Sequence, residues 1–332
     1  MTRKKHIIII HGRSTKPQQS IKQTLVNNAL INGIQRINKK MAKAIEIGDV
    51  KVTVVYYGDI LNQILVENRP ELKKELVWIP DNWYVPDNTY NKPLQKLIKR
   101  PLEKHTKEDY DRLIEKQEII KFGDDLATIA SPFLSLIGIT QKVINKLLPD
   151  LGSYLTSRIV GSQIRERLQP ILRESLLAND DIALISHSMG CMVSYDVLWK
   201  FSRMSEYKDL WEKKISLWMT LGNPLGEPAV KKSLYDSNEP NDGMYPTNIM
   251  DWINIRAVDD FVAHDGDIKD DFHQMLERNL IRSITDEPEI YTFWVDEKGK
   301  CNPHKLYGYL NHPVVSEKIL NWLQNKLHKP IL

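Results

Sequence analysis

A serine, a pair of aspartates and several histidines follow one another along this chain in an order that suits nucleophilic catalysis. The segment DIALISHSMG (181–190) runs a short apolar strand, Ile182 to Ile185, into a tight Ser-His-Ser-Met-Gly turn. A helix-compatible stretch follows, so the layout is that of a nucleophile elbow with Ser188 at its tip. Small neighbours are needed there because strand and helix backbones converge. Gly190 supplies one, and Ser186 stands where the first glycine of G-x-S-x-G would be. A plain serine-rich loop or helix cap uses the same residue types, so the rest of the chain must supply the chemistry.

A serine hydroxyl needs a base to remove its proton and a third group to hold that base. Downstream of Ser188 the order is Ser, Asp, His, as in one class of triad. The acid candidates are Asp259 and Asp260, at the end of the strand-like WINIRAV, and only one of two consecutive residues can face a given histidine. For the base, His304 lies in DEKGKCNPHKLYGYL, and His312 precedes Pro313 at the cap of a C-terminal helix. His264 and His273 precede the last predicted strand and are weaker candidates. An oxyanion needs backbone donors. The N–H of Met189 is one, and the loop His11-Gly12-Arg13 offers the second through Arg13 or Ser14, with Gly12 permitting a close turn. The Arg13 side chain is either an ordinary exposed charge or, beside the site, one that would favour an anionic substrate, and Asn223 or Leu225 in GNPLG would wall the site. No H-E-x-x-H and no glycine-rich phosphate loop is present, so neither metal nor cofactor is expected.

These residues need a scaffold. Strands are predicted at His6–His11, Lys51–Tyr57, Ile182–Ile185, Ile215–Leu221, Trp252–Val258 and Ile290–Val295. Helical patterns cover Ser20–Ile47, Tyr154–Asn179, Met189–Phe201 and Val314–Leu327. Near-continuous apolar strands alternating with helices predict an α/β fold, a mostly parallel central sheet flanked by helices. The chain is expected to form a single domain over 1–332, interrupted by an inserted, mainly helical cap or subdomain at 60–150. Within that insertion, Ala127–Pro149 is markedly apolar. Glu227–Asn248 reads as a long loop.

The charge is nearly balanced, 46 Lys plus Arg against 43 Asp plus Glu, which removes any whole-chain argument for nucleic acid. Cys191 and Cys301 make no disulfide framework, and Cys191 is expected to be buried behind the elbow. The four isoleucines after MTRKKH are too short a run for a signal peptide, and no stretch has the length of a membrane span. A cytoplasmic location is expected, with peripheral membrane contact through the insertion as an option.

Taken together, HIIIIHG (6–12), SHSMG (186–190), TLGNPLG (220–226), WINIRAVDDFV (252–262) and HKLYGYLNHPVVSEKI (304–319) resemble the α/β-hydrolase superfamily, specifically its serine esterases and lipases. The resemblance frames almost the whole sheet and leaves 60–150 uncovered. It implies an acyl-serine mechanism on a small-molecule or lipid acyl ester, with Ser188 as nucleophile. It favours Asp260, which precedes Phe261-Val262 where the family has Pro-Val, and His304, which precedes Tyr307 and Tyr309. The alternative is a hydrolase-like scaffold that binds a protein or a membrane surface through the insertion.

Overall fold

The computed structural model describes residues 3–73, 105–114, 149–235, 238–263, 267–294 and 302–327. Six strands form one sheet: β1 (Lys5–Ile10), β2 (Lys51–Val55), β3 (Asp181–His187), β4 (Ile215–Leu221), β5 (Ile249–Ile255) and β6 (Ser283–Asp286). Their order is β2-β1-β3-β4-β5-β6, and every neighbouring pair is parallel. β-branched runs such as HIIII and VTVV suit a pleated surface covered on both sides.

Alternation sorts the side chains into two cores. Ile8, Ile10, Ile182, Leu184, Trp218 and Trp252 face one way. They meet α3 (Gly58–Asn68), α5 (Pro149–Thr156), α6 (Arg158–Leu177) and α7 (Met189–Arg203), while α4 (Lys107–Ile114) and a short 3-10 turn, Pro70–Leu72, also belong to the 60–150 insertion. Ile7, Ile9, Ala183, Ile185, Leu217 and Met219 face the other way, against α1 (Gln19–Ile37), α8 (Leu306–Asn311) and α9 (Pro313–Leu323). The result is a three-layer arrangement with helices on both faces of a parallel sheet.

The predicted helix over Ser20–Ile47 is two helices. The chain turns extended at Asn38 (φ −152°, ψ 94°), and its side chain accepts the Met41 N–H at 3.0 Å, capping α2 (Lys39–Glu46). Asn favours such caps because its amide competes with the helix backbone. The last predicted strand, Ile290–Val295, is not formed over its described part. The sixth strand is Ser283–Asp286, and the chain leaves the ladder before Pro288, which has no N–H to give it. Ile290 then makes a single parallel bridge with Ala257. Between Glu227 and Asn248 the described residues hold only two short helical turns, Pro228–Lys231 and Asn241–Met244. No helix among the described residues is long and apolar enough to cross a membrane. Of the apolar stretch Ala127–Pro149 only Pro149 is described, and Cys301 and His264 also lie outside the described residues.

Between the layers sit histidines held neutral by burial. His6 hydrogen-bonds Ser175 Oγ (2.5 Å) and Thr53 Oγ1 (2.8 Å), and burial with the Lys51 charge pushes its pKa down to about 4. Burial also drives His11 and His187 well below the ordinary imidazole value. Unfolding lets these rings take up protons near pH 6.5, so the unfolded chain binds more protons than the native one between about pH 4 and 6.5. Stability is therefore expected to fall as pH drops through that window. Urea midpoints at pH 7.5, 6 and 5 check this, and a midpoint unchanged across the series would contradict it.

Candidate active site

The strand order reverses between β1 and β3: the chain passes from β1 to β2 on one side and to β3 on the other. In open parallel sheets such a switch point leaves a crevice at the carboxyl ends of the strands, because the two connections diverge. Register pairs Ile9 with Ile185 and Ile10 with Ser186, so the loops starting at His11 and at Ser188 leave the sheet side by side.

Ser188 occupies a conformation that L-residues rarely adopt, φ 56° and ψ −129°, between the end of β3 and the first turn of α7. Such backbone strain costs on the order of 1–3 kcal/mol and persists only where the surroundings over-determine it. Here the Ser188 N–H donates to the Leu221 carbonyl (3.1 Å), and its own carbonyl accepts the Cys191 N–H (2.8 Å). Gly190 lies against β1: a methyl group there would come within 2.8 Å of the His11 carbonyl oxygen and 2.9 Å of that of Ile10. Ser186 has a structural reason to replace a glycine. Its buried hydroxyl meets Ser194 Oγ at 2.8 Å and accepts the Trp218 indole N–H at 3.0 Å. Cys191 is fully buried behind the turn, and burial raises its thiol pKa, so it is unreactive as a thiolate.

Opposite Ser188, the loop after β1 is tied by nearly all its carbonyls. The Tyr57 hydroxyl donates to the His11 carbonyl, and His11 Nδ1–H donates to that of Gly12 (2.8 Å). Lys16 Nζ donates to the carbonyls of Arg13, Ser14 (2.9 Å) and Thr15 (3.3 Å). Burial, and then Lys305, push the Lys16 pKa down to about 7. The Ser14 N–H donates to Asp150 Oδ2 (2.8 Å), so of the two backbone donors expected in this loop it is already spent on a carboxylate. The expectation of a free Arg13 charge is corrected as well. Nε and Nη2 both donate to Asp150 Oδ1 (3.2 and 2.8 Å), and the pair is buried. Burial would raise the Asp150 pKa, but the Arg13 charge and the hydrogen bonds from Arg13, Ser14 and Leu151 hold it below the usual carboxylate range. Gly12 packs on the elbow itself: a side chain there would come within 2.6 Å of Ser188 Cβ and 3.0 Å of Ser188 Oγ.

At the ends of β4 and β5 stands the acid–histidine pair. Both carboxylate oxygens of Asp260 lie 2.9 Å from His304 Nδ1, and Tyr309 Oη donates to Oδ2 at 2.6 Å. Burial alone would raise the Asp260 pKa, but the facing imidazole and the hydrogen bonds from His304, Tyr309 and the Val262 N–H hold it low. Asp260 is therefore ionised at neutral pH, and His304 Nε2 is directed away from it. Gly222 stands against the pair, since a methyl group there would come within 2.7 Å of Asp260 Oδ2 and 2.9 Å of His304 Nδ1. Leu221, just before it, accepts the Ser188 N–H, so serine and pair border the same strand end. No hydrogen bond joins Ser188 Oγ to His304 among the described residues.

The remaining candidates fall elsewhere. Asp259 turns away at φ 62° and accepts the Tyr110 hydroxyl at 3.0 Å. His312 caps α9, its Nδ1 accepting the Val314 N–H at 3.2 Å. His273 Nδ1 meets the Asp270 carbonyl on the surface. Asn223 is buried, its amide spent on Asn254 Oδ1 and the Leu225 N–H. Met189 is the first residue of α7, so its N–H has no acceptor within the helix. Three residues were missed by sequence reasoning: Asp150, Tyr309 as a second partner of the acid, and His187. The tyrosine had a signal in its spacing from His304; the aspartate had none. Among the described residues no cluster of His, Cys, Asp and Glu could hold a metal ion.

Compared with family models, with curated proteins and with solved structures, the chain matches none.

Replacing Asp150 by Ala leaves the Arg13 guanidinium buried without its partner, which is expected to cost about 3–5 kcal/mol in urea unfolding. Adding Arg13→Met to that variant is expected to restore part of the loss. A single-variant cost below about 1 kcal/mol would contradict the role given to the pair.

Proposed function

We propose that this chain is a serine hydrolase that cleaves a carboxylic ester through an acyl-serine intermediate. The observation that carries the reading is the buried Asp260–His304 pair beside the strained Ser188, with Ser188 just beyond β3 and the pair in the chain after β5 and β6. His304 keeps 13% of its side chain exposed while Asp260 keeps none, the arrangement a base facing substrate and its shielded partner require.

In this mechanism His304 Nε2 takes the Ser188 proton as Oγ attacks the ester carbonyl. Asp260 stabilises the imidazolium formed and holds the tautomer with its proton on Nδ1. The oxyanion is met by the N–H groups of Met189 and Arg13, aided by the N-terminal end of α7. Collapse expels the alcohol with the proton returned by His304. Water then repeats the cycle on the acyl-serine and releases the acid.

The described parts of the 60–150 insertion support a cap over this site. Tyr110, on α4, reaches the Asp259 turn and lies 5.3 Å ring to ring from Tyr291. Asp150, on α5, anchors the Arg13 loop. Both pieces dock on loops at the carboxyl edge of the sheet, where a lid that sheds water from the reaction belongs.

A fluorescent fluorophosphonate tests the reading, since it forms a stable covalent adduct with an activated serine. Labelling of the wild-type chain is expected, lost in Ser188→Ala and in His304→Ala. For Asp260→Asn a drop of roughly 10⁴-fold is expected, because the amide favours the wrong imidazole tautomer. No labelling of folded wild-type protein, or labelling that survives Ser188→Ala, would overturn it.

A further inference from the structure

The residue before Ser188 is a second histidine at the site, and its hydrogen bonding leaves one nitrogen unaccounted for. His187 is 6% exposed. Its Nε2 lies 2.7 Å from the backbone carbonyl of His304, and a carbonyl only accepts, so Nε2 carries the proton. The two imidazoles lie against each other, 4.6 Å between ring centroids. Nδ1 of His187 is buried and has no hydrogen-bond partner. Burial and then the neighbouring His304 keep the ring neutral, so Nδ1 is a bare acceptor. A buried acceptor without a donor is costly, and it stands ready for a guest that can donate to it.

Its direction is fixed by Gly12. The place a Gly12 side chain would take is 3.0 Å from His187 Nδ1 and 3.0 Å from Ser188 Oγ. The bare nitrogen and the Ser188 hydroxyl therefore lie against the same glycine, and any side chain at position 12 would collide with both.

We propose that His187 is a positioning residue with two separate tasks: its Nε2–H holds the backbone of His304, and its Nδ1 accepts a hydrogen bond from the water that hydrolyses the acyl-serine. This rests on the acyl-serine reading above. In that step one water O–H proton goes to His304 Nε2 while the oxygen bonds to the acyl carbon. The other O–H points at His187 Nδ1, which orients the attacking lone pair without taking a proton. The tetrahedral intermediate then breaks its bond to Ser188 Oγ, which recovers the proton from His304, and the carboxylic acid leaves.

Two neutral substitutions of similar size divide the tasks. In His187→Gln the amide nitrogen falls near the place of Nε2, so the donor to His304 is kept and the Nδ1 acceptor is lost. His187→Asn keeps an oxygen near Nδ1 and loses the donor. Fluorophosphonate labelling reads the first half of the cycle, and the burst and steady state of p-nitrophenyl acetate turnover separate acylation from deacylation. His187→Gln is expected to label as the wild type does and to keep its burst, with the steady-state rate lowered about tenfold. In His187→Asn, labelling itself is expected to slow by up to about 100-fold, because a misplaced base acts on both halves. A general folding defect would depress both variants alike, so the contrast between them is the readout. Equal losses in the two variants, or wild-type behaviour in both, would overturn the assignment of His187 while leaving the hydrolase reading intact. Absence of wild-type labelling would instead overturn that reading.

Discussion

The parallel pairing of β1 with β3 is the constraint on which the proposed site depends. It sets Ile10 beside Ser186, so the loop containing Gly12 must leave the sheet against the turn containing Ser188. The approach is close enough that a methyl group at Gly12 or Gly190 would overlap the opposite backbone or side chain. Isoleucines on both faces of β1, fully buried in two separate cores, hold that register. A slip by one residue would turn every one of them to the wrong layer. Hydrophobic burial far from the crevice thus fixes atomic placement within it.

Around that fixed point, ionisable groups are buried in two different ways. Asp260 and Asp150 stay charged because each accepts several hydrogen bonds and faces a histidine or an arginine. His11 and His187 stay neutral chiefly because burial strips both rings of water, and no carboxylate is hydrogen-bonded to either. Neutral imidazoles can donate on one side and accept on the other: His11 donates to the Gly12 carbonyl and accepts from the Tyr57 N–H, whereas His187 donates to the His304 carbonyl and its other nitrogen is unpartnered. The backbone of both site loops is therefore positioned by histidines whose charge would disrupt them.

Much of this was legible in the sequence, for physical reasons that also mark where it stops. Strands buried on both faces read as unbroken apolar runs, so HIIII, IALI and ISLWMTL locate three of the central strands. The edge strand SITD is short and half polar, carries no such run and escaped notice, while the apolar IYTFW just after Pro288 drew the assignment instead. The break at Asn38 was hidden because helical periodicity continues across it. At the site, Ser188 was marked by its strand and its glycine. The choice between Asp259 and Asp260 depends on a left-handed backbone at Asp259, which no periodicity encodes. Asp150 is far from Arg13 in sequence and meets it only through the packing of the insertion.

The central claim is that Ser188 is acylated during turnover. Acid quenching during the steady state with p-nitrophenyl acetate, followed by peptide mass spectrometry, tests it most directly. The expected result is an acetyl group on the peptide containing Ser188, absent from Ser188→Ala and accumulating when deacylation is slowed. Turnover with no acyl group on Ser188, or with the group on a lysine or another serine, would contradict the account.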